Sequence, residues 1–271
     1  MTQTEVEPAT RTSYDPEHFA PLFDAEERHF WFRSRNAVIT ALTKQIVEPL
    51  APGYRVLEVG CGTGNVLKQL DAVCTGGDVI GMDLFMEGLA FARTRTQTPL
   101  IQGDVHRPPF STLFDMIGAF DVVEHIEDDA GVIASLYAML KPGGALFVTV
   151  PAHMYLWSYF DTASHHCHRY EIDGLSDRLR GAGFEIEYVT EFMTFLYPLV
   201  WLGRRAATLV KGKRGIDAEA AHKMSVDELR IVPVVNDILY RALAADVADV
   251  TRRRRLGRGT SILAIARKPK E

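Results

Sequence analysis

Cysteine is scarce in this sequence. Cys61, Cys74 and Cys167 are scattered and odd in number, so no disulfide framework is expected, and a reducing, cytoplasmic setting fits. Long apolar runs are missing too. The most apolar stretch, FMTFLYPLVWLG at 192–203, is roughly a dozen residues, short of the about 20 that a membrane-spanning helix needs. The start, MTQTEVEPATRTSYDPEHF, has no basic opening followed by an apolar run and does not read as a secretory signal. Its polar, acidic composition predicts a disordered tail over 1–14. There is no excess of positive charge: the formal net charge of −5 argues against general nucleic-acid binding. No repeat or low-complexity segment is evident.

What remains is the composition of a globular α/β protein. At 271 residues, 47% of them hydrophobic, the chain can bury a sizeable core. Residues 15–50 read as helical, with apolar positions at Phe19, Leu22, Phe23, Phe30 and Trp31, then Val38, Ile39, Leu42, Ile46 and Val47. Between 54 and 150, β-rich runs at 55–59, 79–83, 99–103, 115–120 and 145–150 alternate with helical runs, the pattern of a doubly wound, mostly parallel sheet. Beyond lie a helix over 172–182, a strand over 184–189, helices over roughly 194–255 and a last strand at 261–266, expected to be antiparallel. The expected division is a tail (1–14), an N-terminal helical cap (15–53), a Rossmann-like core (54–191), a helical insertion capping the acceptor side (192–258), and a final core strand with its tail (259–271).

The segment VLEVGCGTGN at 56–65 is a buried strand that runs into a glycine-rich turn and then a helix. In such sheets ligands bind at the carboxyl ends of the strands. Glycine lets the backbone approach a ligand because no Cβ intervenes, and Glu58 ahead of the turn can accept from the amino group of an amino-acid moiety. Gly60, Gly62 and Gly64 form G-x-G-x-G, not the G-x-G-x-x-G of a dinucleotide site. The glycines alone leave open a structural turn, a dinucleotide or S-adenosylmethionine (SAM), which has no phosphate to cradle. Asp83, at the end of the second strand, can bind both hydroxyls of a ribose, and Met82 and Leu84 can pack on the two faces of an adenine. Asp104 can accept from the adenine amine while the Val105 N–H donates to the ring.

These pieces, EVGCGTG, GMD, QGDV, FDMIGAFDVVEHIEDD and LKPGG, closely resemble class I SAM-dependent methyltransferases in order and spacing over residues 54–150. The resemblance implies Glu58, Gly60, Cys61 and Gly62 around the methionine part of SAM, Asp83 on its ribose, Asp104 and Val105 on its adenine, and Phe120 and Asp121 beside the sulfonium. The flanks resemble a bacterial small-molecule subgroup of that family: HFWFRSR at 29–35, the stretch from VPAH at 150 to Tyr170, and the ending GTSILAIAR at 259–267. The chain departs from many relatives where Cys167, His168 and Arg169 follow the paired histidines.

Methyl transfer needs a nucleophile held collinear with the methyl, and a neutral hydroxyl or amine also needs a base. His125 in DVVEHIE is one candidate, although Glu124 and His125 also suit a structural role at the next helix. If 158–170 is helical, Asp161, His165 and Arg169 share one face, and Asp161 would orient His165 or His166 as the base, with Tyr170 nearby. The same residues could be a structural network. His165, His166, Cys167 and His168 invite a metal reading, but adjacent side chains in regular structure point apart and no second spaced ligand pair is evident, so no metal is expected. Trp31 and Arg35 could form a lid over the donor, the arginine pairing with its carboxylate, or simply belong to a packed helix. Tyr188, Phe192, Phe195, Tyr197 and Trp201 fit an acceptor pocket or the core. The basic run 252–255, together with Arg204, Arg205, Lys211, Lys213 and Arg214, is by default a solvated face; beside LYPLVWLG it also suits a membrane surface and a lipid-linked acceptor. The expected activity is methyl transfer to O or N, with C also open, of a small-molecule acceptor. A nicotinamide-dependent oxidoreductase and a non-catalytic SAM-binding module are the competing functions. Oligomeric state is not legible.

Overall fold

A computed structural model describes residues 15–211, 224 and 226–271. Among them a seven-stranded sheet runs in the order β3-β2-β1-β4-β5-β7-β6. The strands are β1 (Tyr54–Val59), β2 (Gly77–Asp83), β3 (Leu100–Gln102), β4 (Phe114–Phe120), β5 (Leu140–Pro151), β6 (Glu185–Phe192) and β7 (Ser261–Arg267). Strands β1 to β5 pair in parallel, and β7 inserts antiparallel between β5 and β6. The predicted strands and the antiparallel last one are therefore all present. The reason lies in burial: β1, β4, β5 and β7 are covered on both faces, so near-continuous apolar runs mark them in the sequence.

The helices are α1 (Phe19–Glu26), α2 (Phe30–Val47), α3 (Asn65–Val73), α4 (Met86–Arg95), α5 (Asp129–Met139), α6 (Tyr159–Ala163), α7 (Ile172–Gly181), α8 (Leu196–Lys211) and α9 (Pro233–Thr251). Two apolar layers form. On one face, Val38, Ile39, Leu42 and Ile46 of α2 pack with Leu67 and Leu70 of α3, Leu243 and Val250 of α9, and Phe147 and Ile265 of the sheet. On the other, Val132, Ile133 and Leu136 of α5 and Leu175 and Leu179 of α7 cover Ile117, Leu146 and Ile262.

Two expected units are less separate than their sequence patterns suggest. The second half of α2 is part of the core layer, so the stretch 15–53 is only partly a cap. The stretch 192–258 also divides. Leu196, Val200 and Arg204 of α8 line the cavity described below, whereas α9 lies along α2. Asn236 of α9 accepts from the Phe30 N–H at 2.7 Å and donates to the Arg28 carbonyl at 3.1 Å, which satisfies groups left over at the start of α2. The expected disordered tail over 1–14, and the part of the insertion at 212–223 and 225, lie outside the described residues.

Candidate active site

The carboxyl ends of the parallel strands open into one cavity of about 970 Å³, where the strand order reverses between β1 and β4. The turn after β1 forms its floor. Gly60 has φ +68°, a left-handed conformation that costs glycine little, and a Cβ there would lie 2.4 Å from the Val122 side chain. The Gly62 N–H donates to Asp83 Oδ2 at 2.7 Å and the Phe85 N–H to Oδ1 at 2.8 Å, so the end of β2 is tied to the glycine turn. Burial pushes the Asp83 carboxyl up to about 6 although these backbone N–H groups pull it down. Met82, Leu84, Asp104 and Val105 line the far end of the cavity; Met82 and Val105 are buried. Cys61 lines the floor, its thiol pushed well above the ordinary value by burial and by the Glu58 carboxylate, which rules against a reactive thiolate.

Glu58 provides a test of whether this half fits the donor. Its carboxyl is buried, and Oε2 has no hydrogen-bond partner among the described residues. Burial raises its pKa well above the carboxylate range, opposed by the Arg35 charge. A buried, unpartnered carboxylate oxygen is costly unless a ligand supplies the donor. An ammonium group like that of SAM is such a donor, and the residues present fit it.

Phe120 and Asp121 line the cavity wall. Asp121 has φ +57°, and its carboxylate accepts from Thr149 Oγ1 at 3.0 Å and from Arg35 Nη1 at 2.5 Å. The Arg35 guanidinium also lies 5.0 Å from the Trp31 ring. Trp31 and Arg35 both line the cavity, but Arg35 already has a protein carboxylate as partner. Motif reading missed other parts of this cover. Phe19 and Leu22 of α1 line the cavity, Phe19 beside Gly62, and Arg95 bonds Glu26 at 2.5 Å, Thr63 Oγ1 at 2.7 Å and the Phe23 carbonyl at 2.7 Å. Helix α1, Thr63 and Arg95 are far apart in sequence, so no local pattern joined them.

The other half of the cavity is built from several segments. Helix α6 is one short turn, not part of a helix reaching to 170. Ser158 and Asp161 form its capping box, and the chain leaves the helix by His165, at φ +55°. The i, i+4, i+8 face expected for Asp161, His165 and Arg169 therefore does not exist. Instead Asp161 Oδ1 takes His166 Nδ1 at 2.9 Å and Arg169 Nε at 2.6 Å. Burial raises the Asp161 carboxyl, but these bonds outweigh it and hold the group at about 2. His166 lines the cavity, and His165 is exposed outside it. Tyr170 is not at the cavity wall either: its ring is buried and its hydroxyl donates to Asp129 Oδ2 at 3.0 Å, under α5.

His125 does join the site, in the single turn Val123–His125 after β4. The Cys167 N–H donates to the Glu124 carbonyl at 2.6 Å and brings the two segments together. The His125 and His166 rings meet edge to face at 4.8 Å. Burial and the neighbouring His166 push His125 down to about 3, so it is neutral at physiological pH. Glu124 is buried beside them, and ligand atoms of Glu124, His125 and His166 all lie within 4.8 Å of one another. This grouping has the spacing of a metal site as well as of a proton-transfer cluster. The expectation of no metal weighed only the adjacent histidines and did not foresee it. Phe160, Leu196, Val200 and Leu229 add apolar wall, and Arg204, pushed down to about 10 by burial and by Arg169, lies on the same side. Of the aromatic run, Tyr188 and Phe192 are core residues.

Known proteins resemble this chain in sequence and fold. The family model described as a methyltransferase domain matches residues 29–189. The chain belongs to the class I SAM-dependent methyltransferase family. A Mycolicibacterium smegmatis protein named as a probable S-adenosylmethionine-dependent methyltransferase is 29% identical over 165 residues, covering 59% of this chain and 62% of the relative. The mitochondrial ubiquinone biosynthesis O-methyltransferase of Mus musculus is 30% identical over 141 residues, 48% of this chain and 37% of that protein. The chain thus spans less than two thirds of these relatives. A solved structure of Haemonchus contortus phosphoethanolamine N-methyltransferase 2 with SAM superposes with a TM-score of 0.58 at 19% identity, covering 96% of this chain and 58% of that one, which shows the shared fold. Membership of this family removes the nicotinamide reading, which the glycine spacing already disfavoured.

Proposed function

We propose that this methyltransferase-family chain moves the methyl group of SAM to an oxygen or nitrogen of a small acceptor with an apolar body. The observation that carries the reading is the continuity of one cavity from Glu58 and Asp83 to the Asp161–His166 pair. SAM, when bound, supplies a methyl group already activated by the sulfonium charge. Glu58 accepts from its amino group, Asp83 from the ribose hydroxyls, and Asp104 with Val105 from and to the adenine. The Gly62 and Phe85 N–H groups bond different Asp83 oxygens and so hold the carboxylate in place toward the cavity.

On the acceptor side, His166 donates through Nδ1 to Asp161. That fixes the tautomer and leaves Nε2 to take the proton of an acceptor hydroxyl or ammonium. Arg169 keeps Asp161 ionised, so the imidazolium formed is stabilised in place. Neutral His125 flanks His166 without adding a competing charge. Trp31, Phe160, Leu196 and Val200 exclude water and favour an acceptor with apolar surface. The mouse relative, an O-methyltransferase of ubiquinone biosynthesis, supports an oxygen acceptor of that kind. The non-catalytic alternative gives no role to the oriented His166.

The test is formation of S-adenosylhomocysteine from SAM with a panel of amphiphilic phenols and amines. Turnover with at least one, together with stoichiometric SAM binding and no NAD binding, supports the reading. SAM binding with no product across the panel favours a non-catalytic module.

A further inference from the structure

Helix α8 is apolar on two opposite sides. Leu196, Val200 and Arg204 face the cavity at i, i+4 and i+8. Leu199 and Leu202, together with Phe195 just ahead of the helix, point the other way and are 51%, 57% and 46% exposed. A helix that is apolar all round normally lies in a core or a membrane, and this one has one side in water. The apolar ridge continues onto the turn Met154–Leu156, where Met154 and Tyr155 are about half exposed and the Tyr155 hydroxyl bonds that of Tyr197 at 2.9 Å.

The charge in the α8 sequence itself has one sign, whereas the carboxylates near the ridge, Glu171 and Glu228, come from other segments and bond His153 and Tyr159. From 192 to 216 the sequence contains no aspartate or glutamate, but it contains Arg204, Arg205, Lys211, Lys213 and Arg214. The Arg205 guanidinium lies 5.3 Å over the Trp201 ring, and Arg258 reaches the Tyr197 hydroxyl at 3.4 Å. Tryptophan and arginine beside an exposed apolar helix suit the headgroup level of a bilayer. Anionic lipid attracts such cations by about 1 kcal/mol each. A second copy of this chain, packed isologously, would instead bring these cations against one another. No helix among the described residues is long and apolar enough to cross a membrane, so the contact expected is one of lying on the surface.

We propose that α8 docks the protein on an anionic membrane surface and that the cavity receives an amphiphilic acceptor from the lipid side of this helix. The second clause rests on the methyl-transfer reading above; the first does not. The probe is sedimentation with vesicles of equal parts phosphatidylcholine and phosphatidylglycerol, at low and at high salt. The protein should pellet with these vesicles, less so at high salt, and less with phosphatidylcholine alone. The L199E/L202E double variant should bind at least about tenfold more weakly and keep its SAM affinity by calorimetry, because neither side chain faces the cavity.

A wild-type protein that stays in the supernatant, or a double variant that pellets equally well, overturns the docking. So does a solution dimer, seen by light scattering, that the double variant converts to monomer, since the ridge is then a contact between copies. Vesicle binding without turnover on any acceptor supports the docking and tells instead against methyl transfer.

Discussion

The two halves of the cavity are built differently. The donor half comes from successive strand ends: Glu58 near the end of β1 and Gly60 just after it, Asp83 at the end of β2, Asp104 after β3 and Asp121 after β4. Each residue is placed by its own strand and the turn that follows it. The acceptor half is assembled from the turn at 123–125, the irregular stretch 160–169, and α8, none of which fixes the others locally. A site read off consecutive strand ends depends on register; a site made by convergence depends on packing. The two halves should therefore fail independently when altered.

The largest effect should come from His166. A His166→Ala variant is expected to lose about 10²- to 10⁴-fold in turnover on a true acceptor while its SAM affinity by calorimetry is unchanged. Loss of SAM affinity as well would erase the distinction between the halves. His165→Ala, one residue away but outside the cavity, should retain turnover. Next is the mirror experiment on the donor side: Asp83→Ala should cost about 1.5–3 kcal/mol of SAM binding, as charge-assisted hydrogen bonds to the ribose are lost. Unchanged affinity would remove Asp83 from the donor half.

A subtler effect is expected from pH. Asp83 has its pKa raised to about 6, and the ribose hydroxyls need the ionised carboxylate. SAM affinity should be full above about pH 6 and fall as pH drops through that value, by about tenfold per unit below it. Asp83→Asn should flatten this profile, and calorimetry across the range would show it. The smallest expected effect is that of a chelator. If Glu124, His125 and His166 act in proton transfer, removing divalent cations leaves turnover and SAM affinity unchanged. A loss of turnover restored by added cation would make the cluster a metal site and redraw the acceptor half.

The legibility of the two halves follows the same division. The donor residues were readable because strand, turn and helix are consecutive in sequence, and the chemistry repeats at each strand end. The acceptor residues were only half readable. Spacing placed Asp161, His165 and Arg169 on one helical face, but the capping box ends the helix at Ala163 and the left-handed His165 reverses the chain, so His166 takes the place given to His165. The position of Tyr170 in the sequence suggests an active-site group, but its hydroxyl donates to Asp129 on a helix some 40 positions away in sequence. The approach of His125 to His166 had no signal, because the bond between Cys167 N–H and the Glu124 carbonyl that joins their segments involves backbone atoms alone.

By itself the sequence determined the α/β alternation, the strand ends that line the cavity, and the nature of the methyl donor. Hydrophobic periodicity and glycine turns are local properties, fixed within a few residues of the groups they position. Tertiary structure alone decided which histidine faces the cavity, that Arg35 is held by Asp121, that Arg95 ties α1 to the glycine turn through Glu26, and that α8 shows apolar side chains both to the cavity and to solvent. Those outcomes depend on which distant segments pack together, and packing is set by the whole set of buried surfaces and by no single stretch of chain.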